Sequence, residues 1–154
     1  EAMGHGPNFG TAYLKAMKGG NKKLPTKGTV FLSISNKLKV EFIELAQRLK
    51  KLGFKLIATK GTAAHLRSSK IDSKVIWRIS DKKSPDILSI MREGNVNLII
   101  NLPTGRRAAT DGAQMRRLAV ELGIPFITTI TGADAAIKSL EEGENNYLMP
   151  INKK

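Results

Sequence analysis

Residues 27–62 read KGTVFLSISNKLKVEFIELAQRLKKLGFKLIATKGT, and the fold class is decided in this stretch. It opens on a short β-branched and apolar run, 29–33, the signature of a buried strand. Leu38, Phe42, Leu45, Ala46, Leu49 and Leu52 then recur at helical spacing, and Gly53 supplies a stop. A second apolar run, 54–58, follows at once. Strand, helix and strand in immediate succession make the βαβ unit of a parallel sheet.

The alternation continues downstream. The pattern predicts a short helix over about 62–69 and a third strand over 74–77. Ser84-Pro85-Asp86 reads as a helix start with a cap, a first-turn proline and an acid near the positive end, closed by Gly94. A fourth strand, 96–100, precedes a helix capped by Thr110 or Asp111 and stopped by Gly123. A fifth strand, 126–128, leads to a last helix with a capping-box-like Thr131 and Asp134, ended by Gly143. The expected class is therefore α/β, with a five-stranded parallel sheet covered by helices on both faces in three layers, α/β/α. Upstream, residues 1–26 form a Gly-, Lys- and Pro-containing lead-in with a short helical pattern over 9–17.

Composition narrows the function classes. At 154 residues the chain suits one domain plus a flanking segment, 27–150 being the domain, and a first residue other than Met reads as an excised piece. No apolar run approaches the roughly 18–20 residues of a membrane span. There is no cysteine, which excludes disulfide scaffolds and thiol catalysis and suits a cytoplasmic protein. His5 and His65 are the two histidines, too few for a multi-histidine metal site, so no metal is expected.

The formal charge of +13 points first to nucleic acid. Its distribution argues otherwise. Residues 1–92 hold 19 basic and 6 acidic side chains, and 93–154 hold 7 of each. Aromatic residues are 5%, and no zinc finger or RNP-like string accompanies the lysines. No nucleic-acid partner and no membrane are expected. The excess reads as solvated surface, with a few cations focused on one anionic ligand.

Ligands of open parallel sheets sit beyond the carboxyl ends of the strands, so the strand–helix junctions carry the candidate site. Thr59-Lys60-Gly61-Thr62 sets two hydroxyls and a glycine at a helix start, where free N–H groups and the helix dipole favour an anion. Thr62 serves equally well as a plain cap. Lys39 and Arg78 are placed to add positive charge. Asn101, after an apolar strand, suits a base or hydroxyl edge, or local backbone groups. No G-x-S-x-G, dinucleotide fingerprint or Walker string occurs, and no paired carboxylates stand at this rim. No catalytic residue is assigned.

The segments GTVFLSI, GFKLIATKGTAAHL, NLIINLPTGRRAATDGAQMRRLAVELGIPFITT and TGADAAIKSLEE closely resemble the methylglyoxal-synthase-like C-terminal regulatory domain of carbamoyl-phosphate synthase large subunits, the bacterial glutamine-dependent type in particular. The lead-in EAMGHGPNFGTAYLKAM resembles the end of the preceding ATP-grasp portion. The resemblance implies strand order 3-2-1-4-5 and an allosteric role, with UMP as inhibitor or IMP as activator of carbamoyl phosphate synthesis for the pyrimidine and arginine pathways. It implies an effector phosphate held by Lys39, Thr59, Gly61, Thr62 and Arg78, and a nucleoside near Ser33, Asn101 and Asp111 and near the backbone of Gln114 and Met115. Pro103 stands where a relative offers a threonine hydroxyl, and Thr128 matches a position linked to the catalytic interface and ornithine. It also implies the remaining large-subunit domains and the small glutaminase subunit as partners. No cofactor is expected in this piece; ATP, Mg and K belong to the catalytic domains. The alternative is a methylglyoxal synthase-type phosphate lyase. Against it, Ser35 and Asn36 stand where that enzyme has His-Asp, and Ser84 and Ala108 replace a catalytic aspartate and a later histidine.

Overall fold

The computed structural model describes residues 3–5, 12 and 23–143. The helical pattern over 9–17 falls outside them, apart from Ala12. Five strands, β1 (Thr29–Ile34), β2 (Lys55–Ala58), β3 (Lys74–Val75), β4 (Leu98–Leu102) and β5 (Phe126–Ile127), form one parallel sheet in the order β3-β2-β1-β4-β5. Among the described residues five helices separate and follow them: α1 (Lys39–Lys51), α2 (Lys60–Ser68), α3 (Ile87–Arg92), α4 (Arg106–Leu122) and α5 (Ile130–Glu142).

The two-residue period of the strands divides the core. Val30, Leu32 and Ile34 of β1, with Leu98, Ile100 and Leu102 of β4, pack against Phe42, Leu45 and Leu49 of α1, Leu66 of α2 and Ile137 of α5. Phe31, Ile57 and Ile99 point the other way, onto Ile87 and Met91 of α3 and Met115 and Ala119 of α4. Both faces are thus apolar, which is why the strands read as continuous hydrophobic runs rather than alternating ones. Each fully buried Leu, Ile or Phe contributes about 1.5–3 kcal/mol of transfer free energy.

One polar contact ties the first face together at its outer edge. Arg48 of α1 donates from Nε and Nη2 to the two carboxylate oxygens of Glu141 and from Nη1 to Asp134, all at 2.7 Å, clamping α1 to α5. The hydrogen bond to Glu141 is the largest reason the guanidinium is held even more firmly protonated than usual. The hydrogen bond from Arg48 likewise draws both the Asp134 and Glu141 carboxyls below their ordinary range.

Several boundaries differ from the sequence reading, each for a local reason. The third strand ends at Val75, and Trp77 makes an isolated bridge to Asp86 instead. β4 runs two residues later than expected, through Leu102, because its register is set by β1: Val30 faces Leu98 and Ile34 faces Leu102. Pro85 lies outside α3, after a cis Ser84–Pro85 bond, and Asp86 is the cap, its carboxylate accepting from the Ser89 N–H at 2.9 Å. α4 begins at Arg106 behind Gly105, whose φ is +85°, so Asp111 lies inside the helix rather than at its start. Thr129, not Thr131, caps α5 by accepting from the Gly132 N–H at 3.1 Å, and Asp134 is spent on Arg48. α2 starts at Lys60, which makes Thr59 the cap position and puts Thr62 in the first turn.

Candidate functional site

The order β3-β2-β1-β4-β5 reverses direction between β1 and β4, and a cleft of about 280 Å³ opens at the carboxyl ends of those two strands. Its polar wall is built where α1 and α2 begin. Lys60, Gly61 and Thr62 are the first three residues of α2, and no side chain caps their backbone N–H groups. A Cβ on Gly61 would crowd the Lys39 Nζ at 3.1 Å, so the missing side chain lets the ammonium lie close over the helix start. Lys39 opens α1 and donates from Nζ to the Asn36 side-chain oxygen Oδ1 at 2.7 Å, which holds the long side chain at the cleft.

Thr62 does structural work inside this wall. Its hydroxyl oxygen accepts the Ile34 N–H at 3.0 Å and the Thr59 hydroxyl at 3.1 Å, and the residue is 2% exposed. The pair therefore pins the start of α2 to the end of β1. The cap reading of Thr62 does not hold, since its hydroxyl binds the backbone of a different element. Arg78 enters from the turn after β3 and is held by Asp81 at 3.3 Å. Burial pushes the Asp81 carboxyl up, but the hydrogen bonds and charge of Arg78 outweigh that and keep it below the usual carboxylate range.

The opposite wall comes from β4 and α4. Asn101 is 3% exposed at the end of β4, and its amide nitrogen sits 2.8 Å from where a Cβ on Gly112 would be. Gly112 thus allows α4 to pass close over the amide. Asp111, one residue before, lines the cleft and accepts from the Ser80 hydroxyl at 2.7 Å. Phe31, Ile87 and Met115 supply apolar surface, and Ser33 lies beside Asn101 in register. Pro103 lines the cleft without a hydroxyl, and Thr104 next to it offers one a residue later.

The structure gathers Ser33, Lys39, Thr59, Gly61, Thr62, Arg78, Asn101, Asp111 and Met115 around one cavity. The side chain of one residue expected beside the nucleoside, Gln114, does not line this cavity. Gln114 is exposed on the far side of α4, lining a separate depression with Leu88, Arg92 and Arg117. Its neighbour Met115 turns inward because adjacent helical residues point about 100° apart. Thr128, expected at the catalytic interface rather than in the cleft, is exposed beyond β5. Ser35, Lys60 and Thr104 line the cleft as well, and the buried Ser35 hydroxyl has no hydrogen-bond partner among the described residues; local sequence gives no sign of these or of Ser80 as site residues. Gly112, an isolated glycine within a helical pattern, was the one legible signal of close approach.

Three cations, Lys39, Lys60 and Arg78, face the cavity against one carboxylate, Asp111. With uncapped N–H groups at one end and amide, carboxylate and apolar surface at the other, the arrangement suits a ligand with a phosphate head and a hydroxyl-bearing body. Among the described residues no three His, Asp or Glu side chains converge to hold a metal ion, and no helix is long and apolar enough to cross a membrane.

Comparison with known proteins gives the same fold. A solved methylglyoxal synthase from Elizabethkingia anophelis superposes with a TM-score of 0.62 at 18% identity, covering 75% of this chain and 80% of that one. The C-terminal section of the carbamoyl phosphate synthase large chain of Methanocaldococcus jannaschii is 45% identical over 141 residues, 92% of this chain and 23% of that protein. The carbamoyl phosphate synthase large chain of Corynebacterium glutamicum is 42% identical over 146 residues, 92% of this chain and 13% of its own length. The chain thus spans less than a quarter of either relative. The MGS-like domain profile matches residues 41–128, more than half of the sequence, and the chain belongs to the MGS-like domain family.

Proposed function

We propose that this domain is the effector-binding part of a carbamoyl phosphate synthase large chain, and that the cleft between β1 and β4 binds a nucleoside monophosphate, UMP or IMP. The observation that carries the reading is the division of one cavity into a cationic end, with Lys39, Arg78 and the start of α2, and a hydrogen-bonding end, with Asn101 and Asp111. The relatives' names support the enzyme, and the cavity chemistry supports the ligand. On this reading the chain regulates carbamoyl phosphate synthesis and carries none of its chemistry. ATP, Mg and K act in other domains of the large chain, with the glutaminase subunit as a further partner.

The mechanism is differential affinity. A nucleotide bound more tightly in one state of the whole enzyme shifts its catalytic domains toward that state, with a coupling of about 1–3 kcal/mol. Thermal denaturation of the chain with UMP, IMP and inorganic phosphate tests the ligand. A nucleotide at about 100 times its dissociation constant stabilises by about 2.7 kcal/mol. Absence of any nucleotide-dependent shift overturns the reading. Phosphate release from dihydroxyacetone phosphate would instead support the lyase alternative, to which the fold likeness alone lends weight.

A further inference from the structure

The turn Ile79–Asp81, between β3 and α3, makes a contact that the phosphate reading leaves unused. Ser80, itself exposed, donates both its hydroxyl (2.7 Å) and its backbone N–H (3.3 Å) to Asp111 Oδ2. Asp111 sits in α4, 31 residues away, is 7% exposed and lines the cleft. Both donors converge on one oxygen, and among the described residues Oδ1 receives no hydrogen bond. A carboxylate oxygen only accepts when ionised, and with Oδ2 turned to Ser80 the Oδ1 atom is left open to the cleft, free to accept from a ligand donor. A phosphate group, rich in acceptors and negatively charged, is the wrong partner for it. A hydroxyl on the ligand body is the right one.

Resting on the nucleotide reading above, we propose that Ser80 is the positioning residue that sets the selectivity of this cleft, fixing Asp111 so that it favours phosphate esters with hydroxyl donors over bare phosphate. The same turn starts from Arg78, which lines the cationic end, so one short segment spans both ends of the ligand. Loss of the Ser80 hydroxyl removes the shorter bond and leaves only the 3.3 Å backbone N–H on Asp111, which loosens the carboxylate and leaves the Arg78 end intact.

Titration calorimetry of the 154-residue chain with UMP, IMP and inorganic phosphate reads this directly. Ser80→Ala is expected to weaken the preferred nucleotide about tenfold, in the range of one charge-assisted hydrogen bond, and to change phosphate binding less than about twofold. Ser80→Thr, which keeps the hydroxyl, restores the preference. A merely structural role would weaken nucleotide and phosphate alike, and that outcome, or an unchanged preference in Ser80→Ala, overturns the proposal. Asp111→Asn gives a second arm, since it keeps an acceptor for Ser80 but removes the charge; nucleotide preference retained there also overturns it. If the unaltered chain binds phosphate but neither nucleotide, the nucleotide reading itself falls, whereas nucleotide binding with selectivity insensitive to Ser80 removes this inference alone.

Discussion

Thr62→Val separates the structural role of the anion-site threonines from their expected ligand role. Valine matches threonine in shape, so no cavity forms and the fully buried position stays filled. What is lost is the oxygen that accepts the Ile34 N–H at 3.0 Å and the Thr59 hydroxyl at 3.1 Å. Ile34 is buried at the end of β1, and its N–H has no solvent to turn to. An orphaned buried donor costs about 1–3 kcal/mol. The Thr59 hydroxyl lines the cleft and can rotate toward it, so its loss adds little. The expected destabilisation is about 2 kcal/mol. Thr59→Val, which removes one donor and leaves the Ile34 bond, should cost about 0.5–1.5 kcal/mol. Urea denaturation of both variants, with the denaturant slope unchanged, measures the difference. A Thr62→Val cost below about 0.5 kcal/mol, or one smaller than that of Thr59→Val, would refute the claim that Thr62 pins α2 to β1. A drop in nucleotide affinity in Thr62 variants must then be read against this loss of stability, and Lys39→Ala is the cleaner probe of the phosphate end.

Arg48→Met keeps the aliphatic stem but removes the clamp between α1 and α5; because both carboxylates are more than a third exposed, solvent screening holds the expected cost to about 1–2 kcal/mol at neutral pH. Arg48 depresses both carboxyls, so the stability they add is present above the ordinary carboxylate range and lost as pH falls through their lowered values; denaturation curves of the two proteins should converge as the pH is taken below the ordinary carboxylate range, and a gap that stays constant contradicts the clamp. Asp81→Asn weakens the competitor for Arg78 and should tighten phosphate binding by a few-fold in calorimetry, whereas weaker binding would mean that Asp81 instead orients Arg78 for its ligand. Gly112→Ala should leave stability nearly unchanged, since a helical alanine gains up to about 1 kcal/mol over glycine, while displacing the Asn101 amide and lowering nucleotide affinity; unchanged affinity would remove Asn101 from the site.

The parts of the site that were legible in sequence are those coded by local chemistry. Gly61 and the two threonines announce a helix start beside a strand, and Lys39 and Arg78 sit at junctions of the same kind. Gln114 rests on the resemblance alone, and its side chain points away from the cleft because neighbouring helical positions diverge. Ser80 gave no signal, because nothing in a serine on a polar turn reveals a carboxylate in a distant helix. Helix starts were misplaced for a related reason. Ser84, Asp111 and Thr131 are all competent caps, and which candidate is used depends on where the chain leaves the sheet.

The sequence by itself determined the parallel α/β class, because apolar runs of strand length and helical periodicity are local properties that survive in a string of letters. It also determined the chemical character of the strand ends. Tertiary structure alone decided that Ser33 faces Asn101, that Thr62 binds the backbone of β1, and that Ser80 holds Asp111. Each of these joins residues from different elements, and their distances are set by sheet register and helix packing, which no local pattern encodes.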